Sequence, residues 1–197
     1  MIEEKMSAIL LASGLSRRMG EQDKLLLEYK GKTLLSHAVE LLDALPCREK
    51  FLVTIERRLY GIALPRTVSA IINTTPQVGQ SESLRLGLKA ATGQWYLFLN
   101  ADQPRLAFAG LKPMFELARA NPEKIIYPAI NGSPTTPVLF PAAFRAALLE
   151  QTGDAGGRAV RAAHPQSCLA FEPNNPQDFA DIDCLEDYMA LCESGPA

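Results

Sequence analysis

Short apolar runs rich in branched residues alternate with amphipathic stretches along this chain, and the alternation leaves few folds open. The apolar runs predict strands at residues 8–12, 51–55, 70–72, 95–99, 124–129, 137–140 and 167–171. The amphipathic stretches predict helices at residues 33–45, 83–92, 111–120, 142–150, 156–163 and 185–191. Strands that are separated by helices form a mostly parallel sheet with helices packed on its faces. We therefore predict a three-layer α/β fold of Rossmann-like topology.

Local signals support this assignment. In residues 33–45 the apolar side chains recur at spacings of three and four, which gives one apolar face, and Pro46 ends the helix. Residues 131–134, with the sequence Asn-Gly-Ser-Pro, predict a turn between two strands. A chain of 197 residues is near the size of one domain, so we expect a single domain over residues 1–197.

Composition excludes several classes of partner. The 20 basic and 22 acidic residues give a net charge of -2, so we expect no binding to nucleic acid or to an anionic membrane. No segment approaches the roughly 20 apolar residues of a membrane span, and no signal peptide is evident, so we expect a cytoplasmic protein. The cysteines form no metal-binding pattern and are expected to be reduced and mostly buried: Cys47, Cys168, Cys184 and Cys192.

The first predicted strand ends in an unusual loop, within the segment AILLASGLSRRMGEQDK. In open α/β sheets, ligands bind beyond the carboxyl ends of the strands. Gly14 and Gly20 permit backbone conformations in which amide groups turn towards a bound oxygen, and Arg17, Arg18 and Lys24 add positive charge. The loop matches neither the Walker pattern nor the dinucleotide pattern. On composition alone, phosphate binding and a solvated basic loop are equally good interpretations.

The longer motif distinguishes them. The string LLASGLSRRMGEQDKLLLEYKGKTLLSHAVE resembles the L-A-x-G-x-S-x-R-M-G-x-x-K-L-L signature of the molybdenum cofactor nucleotidyltransferases, the MobA-like group of molybdopterin cytidylyltransferases and guanylyltransferases. One extra residue precedes the lysine here. The strings VGQSESLRLGLKAA, FLNADQPRL, TGDAGGRAV and DIDCLEDYMAL resemble later motifs of the same family, so the resemblance covers nearly the whole chain.

This resemblance implies a fold of the nucleotide-diphospho-sugar transferase type and a definite reaction. A terminal phosphate on a molybdopterin-like acceptor attacks the α-phosphate of a nucleoside triphosphate, and pyrophosphate leaves. A client molybdoenzyme would be a further partner. The resemblance implies these nucleotide-binding residues: Leu11, Ala12, Ser13, Gly14, Ser16, Arg18, Met19, Gly20, Lys24, Ser81 and Ser83. Lys24 would neutralise charge that grows on the α-phosphate and the leaving group.

Two strand-end or helix-start carboxylates complete the expected catalytic set. Asp102 follows a predicted strand by three residues; turn chemistry explains it at least as well from sequence alone. Asp181 and Asp183 precede the last predicted helix with alternate spacing. The resemblance implies that Asp102 and one of these late aspartates hold Mg²⁺, a hard cation that takes one or two protein carboxylates plus phosphate oxygens. We expect Asp183 to be the second ligand, with Asp181 as the alternative.

Acceptor-side residues are less sharply defined. Thr136, Asp154 and Gly156 are the candidates, although Asp154 is explained equally well as a cap of the helix that starts at Gly156. Thr136 stands where cofactor enzymes of the family often have histidine, Asn100-Ala101 precedes the aspartate where a glycine is usual, and Leu185 replaces a usual proline. A related enzyme acting on a sugar phosphate, or a nonenzymatic nucleotide-binding module, remains an alternative. His37 and His164 are predicted to have no catalytic role.

The nucleotide base is predicted from one position. Guanylyltransferases of this group tend to read L-A-G-G and cytidylyltransferases L-A-A-G, whereas this chain reads Leu11-Ala12-Ser13-Gly14. A side chain at position 13 narrows the space for a bulky purine if the base packs against this turn. We therefore predict similarity to the cytidylyltransferases and a preference for CTP over GTP.

Overall fold

One large sheet organises the fold, and the computed structural model describes residues 2–20 and 22–193 of the chain. Its strands, numbered together with those of a small hairpin, are β1 (Met6–Ala12), β2 (Glu28–Tyr29), β3 (Lys32–Thr33), β4 (Glu49–Thr54), β5 (Ser69–Ile72), β6 (Trp95–Asn100), β7 (Ile125–Ile130), β8 (Ser133–Pro134), β9 (Val138–Pro141) and β10 (Cys168–Phe171). The order across the large sheet is β10-β7-β9-β6-β1-β4-β5, with β8 paired to β7 and with β2 and β3 forming the separate hairpin.

The sheet is mostly parallel. Strand β1 runs parallel to β4 and β6, β5 runs parallel to β4, and β10 runs parallel to β7. Strand β9 is the exception, because it lies between β6 and β7 and runs antiparallel to both. The carboxyl ends of β6, β1 and β4 therefore meet at one edge of the sheet, which is where the loops after these strands gather.

Helices cover both faces of the sheet and make three layers. The helices are α1 (Leu34–Ala44), α2 (Glu56–Leu59), α3 (Gln80–Ala90), α4 (Phe108–Ala120), α5 (Arg145–Leu149), α6 (Gly156–Ala163) and α7 (Leu185–Glu193). Buried residues of α1 and α4 form one apolar cluster with Ala8 and Leu10 of β1. Buried residues of α3, α5 and α6 form a second cluster with Ile9. Successive side chains of a strand point to opposite faces, so β1 contributes to both cores.

The predicted fold class is confirmed, and every predicted strand is present with its bounds within two residues. The helix predicted at 156–163 has the observed bounds, whereas α3 and α4 each begin three residues earlier than predicted. The predicted turn joins β7 to β8, with φ of 50° at Asn131 and 77° at Gly132. The β2–β3 hairpin and helix α2 were not predicted, because both segments are too short to show a periodicity.

The expectation about the four cysteines is met in part. The described cysteines are all free thiols, as predicted, but only Cys47 is buried, so the expectation that most are buried was wrong. Burial raises the pKa of the Cys47 thiol to about 12, which keeps it protonated and unreactive. Within residues 2–20 and 22–193, no helix is long and apolar enough to cross a bilayer.

Candidate nucleotide-binding and catalytic site

A cavity of about 380 Å³ opens at the carboxyl edge of β1, β4 and β6. This volume lies within the usual range for small-molecule sites. The walls come from the loop after β1, the turn that carries Lys24, the start of α3, the end of β6, and Asp183 before α7. Segments distant in the sequence thus converge on one concave surface.

Most of the predicted site residues line this cavity. They are Leu11, Ala12, Ser13, Gly14, Ser16, Arg18, Lys24, Ser83, Asp102, Asp154 and Asp183. The predicted residues outside the lining are Met19, Gly20, Ser81, Thr136 and Gly156. Met19 and Ser81 are buried, and the Ser81 amide donates to the carbonyl of Gly153 at 2.9 Å. The loop itself contains two residues with positive φ, Ser16 at 51° and Gly20 at 64°.

The ammonium group of Lys24 is the centre of the polar site. It donates to Asp102 Oδ2 at 2.7 Å, to the carbonyl of Ile182 at 2.8 Å and to Asp183 Oδ1 at 3.2 Å. The Lys24 and Asp102 side chains are only 14% and 17% exposed. Burial lowers the pKa of Lys24, but the two carboxylates outweigh burial, so the pKa is raised above its ordinary value. Lys24 is therefore a fixed positive charge at neutral pH.

The segment before α7 is held against the end of β6. The amide of Ile182 donates to the Asp102 carbonyl at 2.9 Å, and Ile182 is buried. Asp183 also accepts a bond from Arg18, at 2.6 Å from the guanidinium nitrogen to Oδ2, and both side chains are well exposed. Asp181 is an exposed residue, but its carboxyl group is partly desolvated. This desolvation and the negative charges of Asp102 and Asp183 raise the pKa of Asp181 to about 7.

The donor set suits a hard divalent cation. Asp102 Oδ1 is buried and has no hydrogen-bond partner in the described part of the chain, so a residue that lines the cavity carries an unsatisfied carboxylate oxygen. Within residues 2–20 and 22–193, no cluster of three or more His, Cys, Asp or Glu residues forms a metal cage. Two carboxylates that converge on one cation position fit Mg²⁺, which commonly takes its remaining ligands from phosphate and water.

Ser13 and Ser83 have side chains committed to the protein. The Ser13 hydroxyl donates to the carbonyl of Val53 at 3.1 Å, so it is turned towards β4. The Ser83 hydroxyl accepts a bond from the Asn73 side-chain amide at 3.1 Å. Both serines are nearly buried. At position 13, the wall next to the cavity is therefore backbone and Cβ rather than a free hydroxyl.

Of the three acceptor-side candidates, Asp154 lines the cavity, whereas Thr136 and Gly156 lie behind the lining residues Asn100 and Gln80. Asn100 contacts the Thr136 hydroxyl at 3.5 Å and the Gln80 side chain at 3.4 Å. Asp154 Oδ1 accepts from the amide of Gln80 at 3.3 Å, so it caps α3. The alternative that Asp154 caps α6 was wrong, because the N-cap of α6 is Ala155 and the Asp154 carboxylate is turned to the start of α3.

Gly156 begins α6 with φ of 49°, and a Cβ there would lie 3.0 Å from Gln80 Oε1. Gln80 and Asn100 both line the cavity.

Arg58, fully buried beneath the loop, was also missed, because a charged residue after a strand is indistinguishable in sequence from a solvated one. The remaining cavity residues that the sequence did not indicate are Leu15, Leu25, Pro76, Gln77, Gly79 and Ala101.

The histidines stand apart from this site. His37 bonds to the carbonyl of Tyr29, and His164 bonds to the carbonyl of Val160 and stacks against Phe144. Neither histidine lines the cavity, so neither contributes a side chain to its walls.

A mixed sheet of this strand order, with a polar cavity at its carboxyl edge, places the chain in the class of proteins with the nucleotide-diphospho-sugar transferase fold. A solved nucleotidyl transfer enzyme of this class, the nucleotidyl transferase Mth528 from Methanothermobacter, superimposes with a TM-score of 0.80 at 22% identity over 96% of this chain and 97% of that one. The chain belongs to the family of MobA-like NTP transferase domains, which matches residues 8–168.

Curated relatives share a more particular name. The chain is 31% identical over 176 residues to the molybdenum cofactor guanylyltransferase of Pseudomonas syringae pv. tomato, covering 87% of this chain and 86% of the relative. It is 31% identical over 123 residues to the probable molybdenum cofactor guanylyltransferase of Rhodopirellula baltica, covering 60% of this chain. The match spans 58% of the latter relative's length, and it spans 59% of the Pseudomonas aeruginosa enzyme.

Proposed function

We propose that this protein transfers a nucleoside monophosphate from a nucleoside triphosphate to the terminal phosphate of molybdenum cofactor and releases pyrophosphate. The observation that carries the proposal is the position of Lys24, whose ammonium lies between Asp102 and Asp183 at the wall of the cavity. The cofactor as acceptor is supported by the names of the curated relatives.

Backbone amides and cationic side chains of the site would together balance the negative charge of the triphosphate. The loop after β1 offers backbone amides to the triphosphate, and Arg18 and Lys24 offset its negative charge. Lys24 cannot act as a base while its pKa is raised, so its part is electrostatic. The attacking phosphate monoester has a second pKa near 6 and is largely a dianion at neutral pH, so no general base is required. This agrees with a cavity that no histidine lines within the described residues.

We also propose that Asp102 and Asp183 hold Mg²⁺. The orphaned oxygen Asp102 Oδ1 and the two converging carboxylates support this part of the proposal. When bound, the cation would supply charge to the phosphate oxygens at the reacting centre. Asp102 and Asp183 would then hold it, and Lys24 would neutralise charge on the phosphates.

For the base, two observations favour different nucleotides. The relatives named as guanylyltransferases favour GTP. The side chain at position 13 favours CTP, although its hydroxyl is turned to Val53 and only Cβ remains to restrict the space. We propose GTP as the first nucleotide to test and keep CTP as the second candidate.

The test is pyrophosphate release from each of the four triphosphates, with and without molybdopterin-type cofactor, in the presence of Mg²⁺. We expect release with one nucleotide in strong preference and only when the cofactor is present. A sugar phosphate is the control acceptor. Release with the sugar phosphate alone would support the alternative acceptor class, and no release with any triphosphate would contradict the proposed reaction.

A further inference from the structure

Arg58 of helix α2 is buried completely, with no exposed surface, yet it does not line the cavity. A buried guanidinium is costly unless its charge is paired and its N–H groups are bonded. Its partners therefore show what the fold uses it for. Within the described part of the chain, the guanidinium bonds to the last residue of β1, to the loop that follows it and to the residue that precedes Lys24.

The guanidinium forms a bidentate pair with Asp23 and also holds two loop carbonyls. Its Nε donates to Asp23 Oδ2 at 2.9 Å, and one terminal nitrogen donates to Asp23 Oδ1 at 2.7 Å. The same nitrogen donates to the carbonyl of Gly14 at 2.7 Å, and the other terminal nitrogen donates to the carbonyl of Ala12. Only arginine offers so many donors in one rigid plane.

These carbonyl contacts fix the direction of the neighbouring amides. In a planar trans peptide, the C=O of one residue and the N–H of the next point in opposite directions. Because the carbonyls of Ala12 and Gly14 face Arg58, the N–H groups of Ser13 and Leu15 face away from it. Ser13 and Leu15 both line the cavity. The guanidinium thus fixes two amide donors on the side away from itself, in residues that line the space where a triphosphate would lie.

The Asp23 contact extends the same control to Lys24. Asp23 Oδ1 also accepts from the amide of Leu25 at 3.3 Å and so caps the short turn Lys24–Leu26. The side chain of Asp23 is 9% exposed. One buried guanidinium therefore links the amide loop and the turn that presents the Lys24 ammonium. Since Arg58 and Asp23 neutralise each other, Arg58 acts through geometry rather than by attracting the nucleotide.

We infer that Arg58 is a positioning residue that prearranges the triphosphate-binding loop and Lys24 without touching the nucleotide. The inference rests on the proposed function, because it assumes that a triphosphate occupies the cavity. A role limited to stability would lower the amount of folded protein but leave the affinity of the folded fraction unchanged. A positioning role lowers that affinity for any triphosphate, whatever its base.

The experiment measures the Kd of GTP, CTP and inorganic tripolyphosphate with Mg²⁺ and no acceptor, in the wild type and in Arg58→Lys. Lysine keeps the charge but cannot bond Asp23 bidentately and both carbonyls together. We expect Kd to rise at least tenfold, by a similar factor for all three ligands. In a separate turnover assay with acceptor present, the KM of the acceptor should stay within twofold of the wild type. Arg57→Lys is the matched control: Arg57 is exposed and, among the described residues, its side chain bonds only to Asp23 Oδ2, at 3.1 Å, so we expect Kd within twofold.

A second measurement uses the wild type and does not depend on how the variant folds. Tripolyphosphate should slow hydrogen exchange at the Ser13 and Leu15 amides, because these groups become donors to phosphate. Tight binding by folded Arg58→Lys, or tripolyphosphate binding that leaves both amides unchanged, would overturn the inference while leaving the proposed function intact. A wild type that binds none of the three ligands would instead overturn the proposed function and the inference with it.

Discussion

Lys24 Nζ lies 2.7 Å from Asp102 Oδ2, although the two residues are 78 positions apart in the sequence. The contact joins the turn after the first loop to the carboxyl end of β6, and the Asp183 carboxylate completes it at 3.2 Å. A cation position between two carboxylates is therefore built into the fold. This arrangement makes the roles of these charges separately testable.

Asp102→Asn should lower turnover by more than about 100-fold, because an amide cannot supply anionic charge to a divalent cation. The side chain keeps its shape, so we expect the melting temperature to stay within a few degrees of the wild type. Turnover is measured across a Mg²⁺ titration and in EDTA. Asp178→Asn serves as the control, because within the described residues the half-buried Asp178 carboxylate bonds only to the Asn175 side chain. Wild-type rates in EDTA would contradict the metal assignment.

Asp183→Ala should lose far more activity than Asp181→Ala. Asp183 bonds to both Lys24 and Arg18, whereas among the described residues Asp181 forms no hydrogen bond or ion pair with either of them. We expect a loss of at least 100-fold for Asp183→Ala and less than 10-fold for Asp181→Ala. Steady-state rates at saturating nucleotide and cofactor provide the comparison. The reverse ranking would make Asp181 the second metal ligand.

Ser13→Gly should raise the use of GTP relative to CTP, whereas Ser13→Ala should not. Alanine removes the hydroxyl that bonds to Val53 but keeps Cβ, and only glycine opens the wall. The loss of one small group from a pocket is worth about 1–3 kcal/mol at most, so we expect a change of roughly tenfold in the ratio. The measurement is kcat/KM for both nucleotides in all three proteins. An unchanged ratio in Ser13→Gly would show that another wall selects the base.

Glu49→Gln should reduce the loss of stability in acid. Burial raises the pKa of Glu49, but hydrogen bonds from Ser7 and Thr92 outweigh it, so the pKa lies below the ordinary value of 4.5. A depressed carboxyl pKa stabilises the fold above 4.5, and this contribution disappears as the pH falls through the lowered pKa. Urea unfolding at neutral pH and at about pH 3 measures the difference. We expect the wild type to lose more free energy of unfolding than the variant over this range.

The exposed residue Glu172 provides the control for the acid experiment. Glu172→Gln should follow the wild-type pH dependence. Within the described residues, the Glu172 carboxylate accepts no hydrogen bond that the substitution would remove. A parallel acid response of the wild type and Glu49→Gln would show that the Ser7 and Thr92 contacts do not hold the carboxylate charged.

Sequence patterns predicted the sheet well because burial imposes a period on each element. Leu10 and Ile9 alternate between two cores, and α1 buries one face, so both elements are visible as periodicity. Helix α3 begins earlier than its apolar pattern, because its first turn is capped from outside by Asp154. A cap supplied from 74 positions away leaves no local signal.

The family motif was enough to predict which residues lie in the cavity. It could not predict the orientation or burial of a side chain that depends on a contact with a residue distant in the sequence. Lys24, Asp102 and Asp183 were predicted together, and the structure brings them into contact. The orientation of the Ser13 hydroxyl depends on the carbonyl of Val53, and the burial of Arg58 depends on Asp23. Neither partner is adjacent in the sequence, so only the folded chain reveals these relationships.

The antiparallel strand β9 also affects how such an enzyme can diverge. The chain enters β9 from the side of Asn100, with Thr136 just before it, and leaves towards α5 on the opposite side of the sheet. Thr136 therefore reaches the cavity only through its contact with Asn100, while the loop after β1 forms the wall proposed to bind the triphosphate. Replacement of residues 131–136 would alter the support of Asn100 and leave the loop after β1 intact. The specificity for the acceptor can thus change without a change in the binding of the nucleotide, and the same reaction can serve different acceptors.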